Sequence, residues 1–160
     1  MNQKSNYAFI DGNNLYLGVK SWGWKLDYQK FRIFLKDKYG IEKAFLFIGY
    51  IPGNETLYES FQKKGYICIF KPTLETEKGK IKGNVDAELV LHTMIEYPNY
   101  DKAVIVSSDG DFHCLIEYLK KQNKLLKIII PHKKYSSLLR KFSDYVVNIN
   151  LFRSKIEYVR

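Results

Sequence analysis

With 160 residues, 46% of them hydrophobic and 16% aromatic, the chain has enough apolar content to bury a core and falls outside the disordered class. No apolar run approaches the roughly 20 residues that cross a bilayer, so a single domain over residues 1–160 without a membrane-spanning helix is expected. The 26 Lys and Arg against 17 Asp and Glu give a formal charge of +9, which suits either a polyanionic partner, whose condensed counterions basic side chains displace, or plain solubility.

In chain order, strand and helix signals alternate. "YAFI" (7–10) reads as a first strand, followed by a helix over 13–20. A helix over 26–39 carries Tyr28, Phe31, Phe34 and Leu35 on one face and ends near Gly40. It leads into the strand "KAFLFIGY" (43–50), a helix over 55–64 and the strand "YICIF" (66–70). Residues 71–84, "KPTLETEKGKIKGN", hold turn residues, mixed charge and little apolar content, and "EKGK" is expected to turn a small exposed hairpin. In the helix over 86–97, Ala87, Val90, Leu91 and Met94 recur at i, i+3, i+4 and i+7, so this stripe is expected to face the sheet. "KAVIVSS" (102–108) is the next strand, and a helix over 111–121 aims Phe112, Leu115, Ile116 and Leu119 inward. "LLKIII" (125–130) and "YVVNI" (145–149) are strands around a weaker helical segment at 135–143. Strands apolar on both faces and alternating with helices specify an α/β fold with a mainly parallel sheet.

The start, "MNQKSNYAFI", lacks the apolar stretch and cleavage site of a secretory signal, so a cytoplasmic location is expected. Cys68 and Cys114 have no CxxC spacing and read as buried small hydrophobes.

In a parallel α/β sheet, ligands bind beyond the carboxyl ends of the strands. Acidic residues gather at such places: Asp11 follows the first strand in "IDGNN", Asp109 and Asp111 follow the strand 102–108 in "SSDGDF", and Asp86 opens a helix in "KGNVDAEL". Gly12 and Gly110 are expected to let the backbone turn sharply beside them. If the two strands are neighbours at a switch point, Asp11 faces Asp109 across a crevice. Each aspartate alone is explained as a helix cap. Together, clustered carboxylates without matching basic residues in their motifs call for a hard cation, Mg²⁺ or Mn²⁺. Other chemistries find no frame: His92, His113 and His132 lack HExxH spacing, and neither GxxxxGK[ST], GxGxxG nor GxSxG occurs. An acidic metal pocket in a basic chain suits phosphodiester displacement, with lysines and arginines holding the flanking phosphates.

Three motifs, "IDGNNLY" (10–16), "KGNVDAELVL" (82–91) and "VIVSSDGDF" (104–112), in this order over nearly the whole chain, resemble the NYN domain family of PIN-like metal-dependent ribonucleases. The resemblance implies a three-layer α/β/α sandwich around a parallel sheet. It also implies that Asp11, Asp86, Asp109 and Asp111 form a catalytic Mg²⁺ or Mn²⁺ site, that Asn14 contacts ligand or a loop, and that Ser107 orients the site. Lys80 and Lys82 lie close enough to Asp86 in sequence to contact phosphate, or are solvated loop lysines. Two positions depart from the family pattern: Ser108 stands where glycine is common, and His92 stands near where many members carry a further acid, with Glu88 as a substitute.

The expected activity is endoribonucleolytic, leaving a 5′-phosphate and a 3′-hydroxyl. The expected partner is RNA, single-stranded rather than duplex, with no membrane partner, and a homodimer is left open. A PIN-like module that binds RNA or protein without cutting is the alternative. A small phosphatase using D-x-D is disfavoured, since such enzymes place that motif after the first strand. Tyr16, Trp22 and Trp24 are candidates to stack bases, against ordinary packing.

Overall fold

The computed structural model describes residues 4–72, 74–75, 81–82 and 85–160. Six strands, β1 (Asn6–Asp11), β2 (Ile41–Tyr50), β3 (Tyr66–Pro72), β6 (Ala103–Val106), β7 (Leu125–Ile130) and β8 (Val146–Asn148), form one sheet ordered β3-β2-β1-β6-β7-β8. Every neighbouring pair is parallel. The remaining strands, β4 (Leu74–Glu75) and β5 (Ile81–Lys82), pair antiparallel; "EKGK", expected to turn a hairpin, lies outside the described residues.

Side chains alternate across the sheet and feed two cores. Ala8 and Ile10 of β1, with Val104 and Val106 of β6, pack on one face beneath α1 (Gly12–Ser21), α2 (Tyr28–Tyr39), α3 (Glu55–Lys63) and α6 (Arg153–Ile156). Tyr7 and Phe9, with Ala103 and Ile105, pack on the other beneath α4 (Asp86–Ile95) and α5 (His113–Lys121). Helices on both sides of an all-parallel sheet make the expected α/β/α sandwich. Phe112, Leu115, Ile116 and Leu119 are all buried, as their spacing demands. The segment expected to be helical over 135–143 is a 3₁₀ helix at Ser137–Phe142.

The face of α4 is opposite to the one its stripe suggested. Val90, Leu91 and Met94 are exposed, and Leu89 and Thr93 are buried instead. Thr93 is tolerated inside because its hydroxyl donates to the Leu89 carbonyl at 2.7 Å, and its own carbonyl accepts from the buried Tyr100 hydroxyl at 3.0 Å. Cys114 also departs from its reading: it is exposed, with Sγ 3.3 Å from His113 Nε2. Cys68 is half-buried, and burial pushes its thiol up to about 11. Trp24 is buried, and its Nε1 donates to Asn150 Oδ1 at 2.9 Å, so it offers no face for stacking.

Candidate metal centre

Strand order reverses between β1 and β6, which pair in register from Tyr7–Ala103 to Ile10–Val106. The chain leaves β1 for a helix on one face and leaves β6 for a helix on the other, opening a crevice at their carboxyl ends. Both departures begin with an aspartate.

Asp11 ends β1 and caps α1, its Oδ1 accepting from the Asn14 N–H at 3.2 Å. It is buried, with 7% of its surface exposed. Burial pushes its carboxyl up to about 6; the charges of Asp86 and Asp109 add to the rise, and the Asn14 N–H and a hydrogen bond from Ser107 oppose it. Asp109 caps the 3₁₀ turn Gly110–Phe112, its Oδ1 accepting from the Asp111 N–H at 2.9 Å. This cap aims Asp109 and Asp111 from one short turn. Asp86 arrives from the opening residue of α4.

The result is a cluster in which one ligand oxygen from each of Asp86, Asp109 and Asp111 lies within 4.8 Å of the others. Oxygens sharing one Mg²⁺ at about 2.1 Å sit roughly 3 to 4 Å apart, so these three need to close by less than about 1–2 Å to hold a hard cation. All donors are oxygens, which suits a hard divalent cation. Asp11 is outside this group of three but close enough for the charges of Asp86 and Asp109 to raise its carboxyl.

The two residues expected beside the acids join the loops to each other. Asn14 Oδ1 accepts from the Ser108 N–H at 2.8 Å, linking the β1 and β6 ends across 94 residues of sequence. Ser107 is buried, and its Oγ accepts from the Asp109 N–H at 3.1 Å. Lys80 lies outside the described residues, and Lys82 is placed only by its backbone, opposite Leu74. Gly12 and Gly110 are not in left-handed conformations. Their requirement is close approach: a Cβ at Gly12 would meet the Phe47 carbonyl oxygen at 2.8 Å, and one at Gly110 would meet Ser136 Cβ at 2.8 Å.

A family model of the NYN domain matches residues 7–150. The chain belongs to the NYN domain family. NYN domains are PIN-like and generally ribonuclease-like, so the divalent-metal chemistry of this fold bears on the acidic group found here. The low amplitude and bright protein LabA of Synechococcus elongatus is 24% identical over 169 residues, covering 93% of this chain and 86% of LabA. The crystal structure of VPA0982 from Vibrio parahaemolyticus, described as a protein of unknown function, superposes over 99% of both chains with a TM-score of 0.75 at 20% identity, which shows a shared fold.

The two departures from the NYN pattern have local explanations. Ser108 is buried with its hydroxyl engaged by the loop after β7: Oγ accepts from the His132 N–H at 2.9 Å and lies 3.3 Å from His132 Nδ1. Burial holds that imidazole below its ordinary value, so the neutral ring can accept the Ser108 proton. His92 is half-buried with its ring 5.7 Å from that of Phe47, a packing role. Glu88, the expected substitute, lies outside the three-aspartate group, with its Oε2 3.9 Å from Lys71 Nζ. Sequence reasoning missed the Ser108–His132 contact, for which no local pattern exists.

Proposed function

We propose that this chain, as one NYN domain over residues 1–160, is a cytoplasmic metal-dependent endoribonuclease that acts on single-stranded RNA. The observation that carries the reading is the convergence of Asp86, Asp109 and Asp111 from two elements onto one point, beside buried Asp11, in a chain of charge +9. Asp86, Asp109 and Asp111 would hold Mg²⁺ or Mn²⁺, with Asp11 completing the site. A bound ion supplies water activation and neutralises charge on the phosphoryl oxygens. Burial and the neighbouring Asp86 and Asp109 charges raise the Asp11 carboxyl in the empty site, and a bound cation would offset those charges and favour its ionised form. Asn14 and Ser107 hold the two acidic loops in one arrangement, which fixes the distance between the carboxylates. Attack on phosphorus leaves a 5′-phosphate and a 3′-hydroxyl.

The test is cleavage of an unstructured RNA by purified protein. Turnover with Mn²⁺ or Mg²⁺, its abolition by EDTA and its return on re-addition of metal are expected. Absence of products under every metal condition would sink the reading. The packing role of His92 where many members carry an acid favours one second reading, a module that binds RNA or protein without cutting. It predicts tight, salt-dependent RNA binding with no turnover.

A further inference from the structure

The loop after β7, residues 131–136 ("PHKKYS"), is fixed along its backbone by side chains from distant parts of the chain. Trp22 Nε1 donates to the Pro131 carbonyl at 3.1 Å, and Asn148 Nδ2 donates to the His132 carbonyl at 3.1 Å. Ser108 Oγ accepts from the His132 N–H at 2.9 Å, and Ser21 Oγ accepts from the Lys133 N–H at 3.2 Å. The Ser136 N–H closes the loop on the Ser108 carbonyl at 3.5 Å. Packing acts in the same sense. A Cβ at Gly18 of α1 would lie 2.6 Å from the Pro131 carbonyl carbon and 2.9 Å from the His132 nitrogen, so only glycine lets the helix seat against this loop. At the other end, Gly110 leaves just the room that Ser136 takes.

Surface connections are usually the mobile part of a fold. Here the backbone is pinned while the side chains of Lys133, Lys134 and Tyr135 stay exposed. Apart from Asn148 of β8, the pins come from the segments that carry the acids: Ser108 precedes Asp109, Gly110 separates Asp109 from Asp111, and α1 begins after Asp11. The backbone that carries Lys133 and Lys134 is therefore tied to the Asp109 turn through Ser108 and the close approach of Ser136 to Gly110. A pocket of carboxylates repels a polyanion, so a strand entering it needs cations held beside it. Cations on a pre-ordered loop provide this at a lower entropic cost than those on a free one.

We propose that residues 131–136 form the phosphate-holding ledge of a single-stranded RNA site, with Lys133 and Lys134 each neutralising one backbone phosphate next to the acidic cluster. This rests on the ribonuclease reading for the identity of the strand. Binding of a fluorescein-labelled single-stranded RNA, measured by anisotropy in EDTA across a salt series, tests it. The variant K133Q/K134Q should lose on the order of tenfold in affinity, and its log Kd against log salt slope should fall by about 1.4. The control K36Q/K38Q removes the same charge from exposed lysines in the last turn of α2, which leads into the start of β2 at the amino ends of the strands and away from the crevice, and should stay within about twofold. Equal losses in both variants, no loss in K133Q/K134Q, or no RNA binding by the unaltered protein would overturn the ledge. Because binding is read without metal, a protein that holds RNA through these lysines yet cleaves nothing with Mn²⁺ supports the ledge and overturns only the ribonuclease reading.

Discussion

Asp11→Asn is expected to stabilise the metal-free protein at pH 7 while abolishing the proposed RNA cleavage. The Asp11 carboxyl sits at about 6 in the fold against an ordinary value of 3.8, so between those two pH values the folded protein keeps a proton that the unfolded chain has lost. Stability from this group therefore falls as pH rises from about 4 to about 6, by at most about 3 kcal/mol, and stays low above that. Asn carries no charge to bury and still offers an oxygen to the Asn14 N–H that Asp11 accepts at 3.2 Å. Urea denaturation in EDTA should show the variant more stable by about 1–3 kcal/mol at pH 7, with the difference vanishing near pH 4. Saturating Mn²⁺ should narrow the difference, because a cation among Asp86, Asp109 and Asp111 binds more tightly beside an ionised Asp11 than beside Asn; full binding at one hundred times its Kd is worth about 2.7 kcal/mol. A variant no more stable than the parent at pH 7 would show that burial of this carboxylate carries no cost.

Asp109→Asn is expected to lower metal-dependent RNA cleavage by about 10²–10³-fold, since removing one anionic ligand forfeits several kcal/mol of charge stabilisation in the transition state. Asn keeps the Oδ1 that accepts the Asp111 N–H at 2.9 Å, so the turn Gly110–Phe112 should persist. Single-turnover rates with matched thermal midpoints separate lost chemistry from lost fold. A loss of threefold or less would remove Asp109 from the reaction.

Much of the fold follows from local pattern. The six strands of the sheet are runs of apolar residues bounded by turns, and "SSDGDF" at the end of one of them marks the crevice by placing four acidic and polar side chains directly after an apolar run. What pattern could not decide was direction. Helix α4 turns its i, i+3, i+4, i+7 apolar stripe outward, and its inward face is made by Leu89 with Thr93 and His92, which find partners in the tertiary structure. The pinned loop after β7 was equally hidden. Its contacts join residues separated by 24, 109 and 112 positions, and serine, tryptophan and histidine in isolation carry no signal for them. Glycines were legible as necessary but not for the right reason: Gly110 is required by the approach of Ser136, and not by a left-handed turn.

The central claim is that the aspartates gathered where β1 and β6 end hold a divalent cation. Anomalous diffraction from crystals soaked in Mn²⁺, recorded at the manganese edge, tests it most directly. The account predicts a peak within coordinating distance of Asp86, Asp109 and Asp111, on the side of Asp11, that disappears in Asp109→Asn. Fully occupied Mn²⁺ elsewhere on the surface with no peak among these carboxylates would contradict it.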